Sequence, residues 1–411
     1  MKGEIIAIGD ELLTGRIANT TSLFAAKRLF EADYSVKRMS IVGDVPEEIE
    51  EALNGAVRTA DFVVITGGLG PTSDDLTTEV ISRVLGRKLV FHNEIRERIE
   101  AFSRAKGQDA SEELYKMAWL PERAVVLDDT GTAAGYFLEH DGKALFFLPG
   151  VPGQMRDLFD RKVLPCLASK WKPSAVIRQE IIKTFGLSES EINSRCAGLE
   201  KTFQRLKIGY YPDFPEVHIT LTASCDGTCE AEGILLAARK ELDEKLYPHI
   251  FGGGDDTMEK VVGDILRGKK LTLSIAESCT GGLVAQRLTR IPGSSDYFER
   301  GMVTYSNTSK IELLDVRRET LSSFGAVSAE TAAEMARGIK ERSRTDMGLS
   351  ITGIAGPAGG TTEKPVGTVY IGMSLPDELI IGRFLFWGTR EMIQQIAAET
   401  ALDGLRRYLL E

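Results

Sequence analysis

The sequence predicts an α/β protein with two three-layer α/β/α domains joined by a small α+β connector. The chain has 411 residues, which is long for one hydrophobic core and favours two or three domains. Strand-like apolar runs alternate with helical patterns near both ends, whereas the middle of the chain, between Pro173 and Gly254, has a different pattern. We therefore expect domains at residues 1–168, 169–254 and 255–411.

The first domain should contain an open, largely parallel sheet covered by helices on both faces. The run Phe62–Thr66 (FVVIT) is typical of a central parallel strand that is buried on both sides. The other predicted elements are the strands Glu4–Ile8 and Val36–Val42 and the helices 18–30 and 46–59. In such a sheet, ligands bind beyond the carboxyl ends of the strands.

Three glycine-containing loops are predicted at those strand ends, at residues 9–15, 67–75 and 148–153. The second loop is the most informative, because its backbone amides can approach a phosphate and its side chains can hold a hard divalent cation. It is not the dinucleotide fingerprint, since the glycine spacing differs and Pro71 interrupts it. Each loop alone is also explained by a tight turn, but three at one sheet edge favour a binding site. The candidate substrate-binding residues are Gly67, Gly68, Gly70, Thr72, Pro149 and Gly150, and the candidate metal ligands are Asp74 and Asp75.

The middle of the chain predicts a small α+β module. Its strands are expected at Val176–Ile182 and Val217–Ala223, and its helices at Glu189–Phe203 and Cys229–Leu246. The arrangement is similar to a KH fold, but the RNA-binding form of that fold needs a basic Gly-x-x-Gly loop, which this sequence lacks. Residues 170–250 contain eleven Lys or Arg against twelve Asp or Glu. We therefore expect a spacer or dimerisation element.

The last domain repeats the alternation of strands and helices. A helix should end at Arg267, and a strand should follow it from Leu271. The later predicted elements are the helix Ala329–Glu341 capped by Ser328, the strands Gly348–Thr352, Gly367–Ser374 and Leu379–Trp387, and a C-terminal helix.

The segment Leu271–Gly282 (LTLSIAESCTGG) contains the strongest chemical signal of this domain. A buried strand should turn sharply there into a helix that begins near Leu283. The simpler alternative is that Ser278 or Thr280 only caps the helix. The turn presents two candidate nucleophiles and two glycines whose backbone N–H groups can stabilise negative charge, namely Ser278, Cys279, Gly281 and Gly282.

The catalytic base of this segment has to be something other than histidine. None of the four histidines lies after residue 249, so the domain cannot form a Ser-His or Cys-His pair from its own residues. A lysine can serve if its pKa falls from about 10.4 toward neutrality. Lys310 is the candidate, in a polar stretch that also contains Tyr305, although a solvated surface lysine is the simpler explanation.

A second cradle of phosphate size is predicted after the strand that ends at Thr352. Thr352 and Gly353 begin it, and Arg390 at the start of the last helix can add a bidentate phosphate contact. The alternative for Arg390 is a surface charge.

The composition argues against several classes of protein. A net charge of −10 gives no overall electrostatic footprint for a nucleic acid or an anionic membrane. No apolar run is long enough to span a bilayer, and acidic residues follow the N-terminus too closely for a signal peptide, so we expect a cytoplasmic protein. The five cysteines are scattered, which does not favour a zinc site or a disulfide framework.

Several motifs resemble the competence/damage-inducible CinA family over essentially the whole chain. The C-terminal motifs are AESCTGG at 276–282, TYSN at 304–307 followed by Lys310, GAVS at 325–328, ITGIAGP at 351–357 and KPVGT at 364–368. The N-terminal motifs GDELLTG, TGGLGPTSDDLT and LPGVPGQM are similar to the molybdenum-cofactor-biosynthesis-like domain of that family.

The resemblance implies two enzymes on one chain, joined by a KH-like connector and usually assembled as a homodimer. The C-terminal domain would deamidate nicotinamide mononucleotide without a cofactor, in pyridine nucleotide recycling. Ser278 would be its nucleophile, Lys310 the base and Tyr305 an assisting hydroxyl, with Thr352 and Arg390 on the substrate. The N-terminal domain would be an ADP-ribose pyrophosphatase that depends on magnesium, manganese or cobalt, with Asp75 in the metal or phosphate site.

Two alternatives stay open at this point. Similar N-terminal domains bind a pterin phosphate, so fold and loops leave the ligand undecided. A regulatory or DNA-uptake accessory protein, whose nucleotide pockets only sense ligand, is the rival from another functional class.

Overall fold

The computed structural model of the protein describes residues 1–127 and 135–411. It divides into two compact units, one formed by Met1–Arg178 with Ser224–Glu232 and the other by Gln179–Ala223 with Gly233–Glu411. Within the described residues, no helix combines the length and the apolar character that crossing a membrane requires.

The first unit is built on a six-stranded sheet of order β2-β1-β3-β8-β7-β6, with a separate antiparallel pair β4-β5. Its strands are β1 Lys2–Ile8, β2 Ser35–Val42, β3 Phe62–Thr66, β4 Leu89–Phe91, β5 Trp119–Pro121, β6 Val125–Val126, β7 Tyr136–His140 and β8 Lys143–Leu148. Its helices are α1 Asp10–Leu13, α2 Thr20–Glu31, α3 Pro46–Thr59, α4 Thr77–Val84, α5 Asn93–Ala105, a 3-10 helix Glu112–Ala118, and α6 Pro152–Leu158, which continues through a π-helical turn Phe159–Val163 into α7 Leu164–Lys170.

The central strand β3 shows why the first unit has three layers. All five of its residues are buried, and it pairs in parallel with β1 and β8. Val63 and Ile65 pack into a core that includes residues of α3, whereas Phe62 and Val64 pack into a core that includes residues of α2. Successive side chains of a strand point to opposite faces, so an apolar strand requires a helical layer on each side. The predicted three-layer architecture is confirmed here.

The connector sheet has the order β10-β11-β9-β12. Its elements are the strands β9 Val176–Thr184, β10 Leu206–Asp213, β11 Glu216–Cys225 and β12 Ile250–Gly253, and the helices α8 Glu189–Arg195, α9 Leu199–Thr202 and α10 Thr228–Leu246. The single helix predicted at 189–203 is wrong, because α8 ends at Arg195 and Gly198 takes a left-handed conformation with φ 94° before α9. A glycine adopts that conformation without a Cβ penalty and so interrupts the helix.

The C-terminal sheet has the order β14-β13-β15-β16-β17. Strand β13 pairs in parallel with β14 and β15, while β16 and β17 are antiparallel additions. The strands are β13 Leu273–Glu277, β14 Phe298–Val303, β15 Met347–Gly353, β16 Thr368–Ser374 and β17 Leu379–Leu385. The helices are α11 Met258–Lys269, α12 Leu283–Thr289, a 3-10 turn Ser294–Asp296, α13 Asn307–Leu314, α14 Arg318–Phe324, α15 Ala329–Ser343 and α16 Arg390–Leu410. Ser328 caps α15 as predicted, since its Oγ accepts the Thr331 N–H at 3.2 Å.

Candidate functional site

Ser278 lies at the carboxyl end of the parallel strand β13, where the chain leaves the sheet. Its backbone N–H donates to the Ile351 carbonyl of β15 at 2.9 Å, so the neighbouring strand fixes the position of the turn. The residue is 8% exposed. This is the edge of an α/β sheet at which ligands bind.

Glu277 holds the turn that follows Ser278. Its carboxylate is 1% exposed and accepts three backbone N–H groups at the start of α12, from Gly282 at 3.0 Å, Val284 at 3.2 Å and Ala285 at 2.9 Å. A carboxylate at this position satisfies helix donors that would otherwise lack partners. The alternative that Ser278 or Thr280 merely caps this helix is therefore wrong.

The same contacts change the expectation for the two glycines of the turn. The Gly282 N–H donates to Glu277, and the Gly281 N–H donates to the Ser278 carbonyl at 3.2 Å. Both N–H groups are engaged within the protein, so neither is a free donor for developing charge. The structure places both glycines in the turn that follows Ser278, in left-handed conformations with φ 64° and 100°.

Lys310 meets Ser278 from the first turn of α13. Its Nζ lies 3.0 Å from the Ser278 Oγ, 2.6 Å from the Thr304 carbonyl oxygen and 3.5 Å from the Tyr305 carbonyl oxygen. The lysine is only 1% exposed, so the alternative of a solvated surface lysine is wrong. Burial lowers its pKa from 10.5 to about 8.

The low pKa of Lys310 has a clear physical origin. Among the described residues, no carboxylate forms an ion pair with this lysine, and the nearby Glu277 is occupied by backbone N–H groups of α12. A buried ammonium without an opposite charge loses hydration and gains little in return, which favours the neutral amine. A fraction of Lys310 is therefore the neutral amine near neutral pH.

Cys279 adjoins Ser278 but has the wrong environment for a thiolate. It is 4% exposed, and burial raises the pKa of its thiol to about 12. A cysteine nucleophile requires a lowered pKa and access to the substrate. Of the two candidate nucleophiles, the geometry favours Ser278.

The first turns of the last helix, α16, join the surrounding loops. Arg390 donates through Nη2 to the Tyr305 hydroxyl at 2.9 Å and through Nη1 to the Gly356 carbonyl at 2.7 Å. One helical turn later, the Gln394 Nε2 donates to the Cys279 carbonyl at 2.7 Å. Arg390 thus forms two specific contacts across the site. Tyr305 itself is 62% exposed.

Thr352 and Gly353 support the turn from the neighbouring strand β15. The Thr352 hydroxyl donates to the Ala326 carbonyl at 2.7 Å, and Thr352 is 1% exposed. A Cβ on Gly353 would lie 3.1 Å from the Cys279 Sγ and closer still to Val369, so only glycine fits without displacing neighbours. Both residues lie where the sequence predicted a phosphate-sized cradle. Thr352 contacts the Ala326 carbonyl there, and Gly353 packs against Cys279 and Val369.

A second site lies in the first unit, where the three predicted loops surround a cavity of about 360 Å³. The loops come together because they follow β1, β3 and β8, which are neighbouring parallel strands. The sequence-predicted residues that line it are Gly67, Gly68, Gly70, Asp74, Asp75, Pro149 and Gly150. Glu11, from the first predicted loop, also lines the cavity. So do four residues that no sequence pattern indicated, namely Asn19, Thr21, Asp44 and Thr66.

Hydrogen bonds fix the glycine loop that follows β3. The Thr77 hydroxyl donates to the Gly67 carbonyl at 3.0 Å. Asp75 Oδ2 accepts both the backbone N–H of Thr72 at 3.0 Å and its hydroxyl at 2.5 Å. Thr72 therefore positions Asp75 and does not itself line the cavity.

Negative charge accumulates at this cavity. Burial raises the pKa of Asp44, and the nearby carboxylates of Asp10, Glu11 and Asp74 raise it further. Carboxylate oxygens are the ligands that hard divalent cations prefer, and a bound cation would relieve the repulsion between these carboxylates. Within residues 1–127 and 135–411, however, no three His, Cys, Asp or Glu side chains are grouped closely enough to hold a metal by themselves.

Comparisons with known proteins match the whole length of the chain. Residues 4–169 match the family model "Probable molybdopterin binding domain", residues 179–252 match "Damage-inducible protein CinA KH domain", and residues 255–409 match "CinA C-terminal domain". A CinA-like protein of Desulfotalea psychrophila is 47% identical over 99% of both chains. Another, from Kosmotoga olearia, is 41% identical over 100% of this chain and 99% of its own.

The chain belongs to the CinA family. Among solved structures, the competence/damage inducible protein CihA from Agrobacterium tumefaciens is 40% identical and covers 38% of this chain and 94% of its own, with a TM-score of 0.37. The three family models and the two full-length relatives confirm the resemblance stated from the motifs, and the family models together with the fold confirm the arrangement of two α/β domains with a KH-like connector.

The sequence patterns of this CinA-family protein did not indicate two residues that shape the site, Glu277 and Gln394. Glu277 stands directly before Ser278, where a buried acid at the end of a largely apolar strand was a usable signal. Gln394 lies four residues after Arg390, and this spacing places the two side chains on one helix face.

Proposed function

We propose that the C-terminal site hydrolyses the ring carboxamide of nicotinamide mononucleotide to the carboxylate and ammonia. Ser278 is the nucleophile and Lys310 is its base. One observation supports the proposal above all others, namely the 3.0 Å contact between the Lys310 Nζ and the Ser278 Oγ in a buried setting. A serine needs such a base because its hydroxyl is a weak nucleophile at neutral pH.

The partners around the Lys310 amine support the direction of proton transfer. A neutral amine has two N–H groups and one lone pair. Two of its three partners are the carbonyl oxygens of Thr304 and Tyr305, which can only accept hydrogen bonds. The lone pair is then left for the Ser278 hydroxyl. After proton transfer, the resulting ammonium can donate to all three oxygens.

The proposed reaction has two stages. The Ser278 Oγ attacks the carboxamide carbon while its proton passes to Lys310, and that proton then goes to the departing nitrogen, which leaves as ammonia. A water molecule, deprotonated by the same lysine, attacks the resulting ester and releases nicotinate mononucleotide and the serine hydroxyl. Tyr305 and Arg390 are proposed to contact the nucleotide, in keeping with their mutual hydrogen bond.

The test is ammonia release from nicotinamide mononucleotide, with product identification by mass spectrometry. Ser278→Ala should abolish the reaction. Cys279→Ala is the matched control and should keep most of the activity, because the thiol is held neutral by burial. An inactive Cys279→Ala beside an active Ser278→Ala would reverse the assignment.

We propose a second activity for the first unit, the hydrolysis of ADP-ribose to AMP and ribose 5-phosphate. The meeting of three loops on one cavity supports it. Gly67, Gly68 and Gly70 would lie along the pyrophosphate, and Asp74 and Asp75 would hold magnesium, manganese or cobalt with help from phosphate oxygens. A divalent ion there would neutralise charge on the pyrophosphate and lower the pKa of an attacking water.

The test for this second activity is cleavage of ADP-ribose with and without chelator. Cleavage that stops on chelation and returns with metal supports it. Binding without cleavage under any of the three metals would favour the sensor role. Homodimer formation and a cytoplasmic location stay predictions.

A further inference from the structure

A second cavity, of about 260 Å³, adjoins the larger one in the first unit. The two cavities share one stretch of wall, formed by Gly68, Leu69, Gly70 and Asp75. The rest of the smaller cavity is lined by α4, β4, β5 and the 3-10 helix 112–118, and neither of the other two loops contributes to it. The glycine loop therefore lies between two separate spaces.

The smaller cavity has the lining of an aromatic-ring site. Five of its side chains are apolar, namely Leu69, Leu89, Met117, Trp119 and Leu120. Leu120 and Met117 are 2% and 7% exposed, whereas Trp119 is 45% exposed. The Trp119 ring is held by Phe91 in an edge-to-face contact with centroids 5.2 Å apart. A large aromatic side chain kept partly in solvent beside buried apolar residues offers a stacking surface for a planar ring.

The polar residues of this cavity connect it to the glycine loop. The Lys116 Nζ donates to the Thr72 carbonyl at 3.0 Å and lies 3.6 Å from the Glu79 carboxylate. Thr72 in turn donates to Asp75. A continuous set of contacts thus runs from the apolar cavity to the side chain proposed to hold the metal.

We propose that the smaller cavity binds the adenine base of the nucleotide whose pyrophosphate lies along Gly68 and Gly70. This inference rests on the N-terminal activity proposed above. ADP-ribose has two bulky halves joined by a pyrophosphate, and two cavities meet here at the loop suited to that group. The larger cavity is lined by Glu11, Asp44 and Asp74, which suit ribose hydroxyls and a cation. The smaller one suits an uncharged base, with Glu79 available to accept its exocyclic amino group.

The first experiment measures the binding of AMP and of ribose 5-phosphate, which lacks the base. Trp119→Ala should raise the Kd for AMP by about fivefold to a hundredfold, the usual effect of losing base stacking on an aromatic side chain. It should leave the Kd for ribose 5-phosphate unchanged. Trp119→Phe keeps a ring and should retain most of the AMP affinity, and Trp387→Ala, in the other unit, should match the wild type.

A second experiment does not depend on the stability of the alanine variant. The chain has three tryptophans, so Trp171→Phe with Trp387→Phe leaves Trp119 as the sole indole. AMP and ADP-ribose should quench its fluorescence, while ribose 5-phosphate should not. Equal quenching by all three probes, no quenching by AMP, or quenching only by 6-hydroxymethylpterin phosphate would overturn the adenine assignment.

The two proposals for this domain fail in different ways. If ADP-ribose quenches Trp119 but is never cleaved, the base site stands and the hydrolytic activity fails. If ADP-ribose is cleaved with unchanged KM in Trp119→Ala, the hydrolytic activity stands and the base site fails.

Discussion

The pH dependence expected of the proposed amide hydrolysis follows from the burial of Lys310. With a pKa lowered from 10.5 to about 8, about one lysine in eleven is neutral at pH 7, against about one in three thousand for an unperturbed lysine. Burial therefore increases the population of the reactive base by about 300-fold. In the proposed mechanism the free amine is the active form, so the rate should rise as the pH increases through the pKa of Lys310.

The assay is kcat/KM for ammonia release from nicotinamide mononucleotide between about pH 6 and about pH 9.5. We expect a single rising ionisation with a midpoint near 8, and a rate about 25-fold higher at pH 8.5 than at pH 6.5. Circular dichroism at each pH serves as the control for folding. A flat profile, or a midpoint near 10.5, would refute the argument that the buried lysine is the base.

Four further predictions follow from the contacts described above. Lys310→Arg should lose ammonia release by several orders of magnitude, because arginine does not deprotonate at any working pH; substantial activity in this variant would reduce the lysine to a positioning charge. The free energy of unfolding, measured with urea for the wild type and for Lys310→Met, should change in favour of the wild type by about 3 kcal/mol between pH 8 and pH 10.5. In that range Lys310 is mostly protonated in the unfolded chain and mostly neutral in the folded protein, so raising the pH stabilises the folded state. Parallel pH curves for the two proteins would contradict this prediction. Glu277→Gln should cost about 1–3 kcal/mol of stability in urea, because the carboxylate accepts three helix N–H groups; an unchanged midpoint would show that the cap is dispensable. Asp75→Ala should lose ADP-ribose cleavage and keep ammonia release, because the two sites lie in separately packed units; loss of both activities would contradict their independence.

Local sequence patterns predicted the fold well where one pattern dominated. The run Phe62–Thr66 and the helix Pro46–Thr59 have the predicted bounds, because a fully apolar strand and a helix with proline in its first turn have clear ends. The helix predicted at 189–203 was wrong because its apolar periodicity continues through Gly198. The left-handed backbone conformation of that glycine, which ends the helix, is not visible in the periodicity.

The candidate site was predictable in its residue types but not in its pairing. The absence of histidine pointed to lysine, yet only the structure shows that Lys310 is buried and within 3.0 Å of Ser278. The role expected of the Gly281 and Gly282 amides was changed by Glu277, whose carboxylate reaches the helix start through a turn. Contacts of this kind depend on side-chain directions that sequence spacing does not determine.

The most direct test of the account is to locate the acyl group on the protein during turnover. Protein mixed with excess nicotinamide mononucleotide is quenched in acid, digested and analysed by mass spectrometry, with Ser278→Ala treated in parallel. The account predicts an ester on the Ser278 hydroxyl that is absent from the variant, together with loss of ammonia release by the variant. An adduct on Cys279, or undiminished ammonia release by Ser278→Ala, would contradict it.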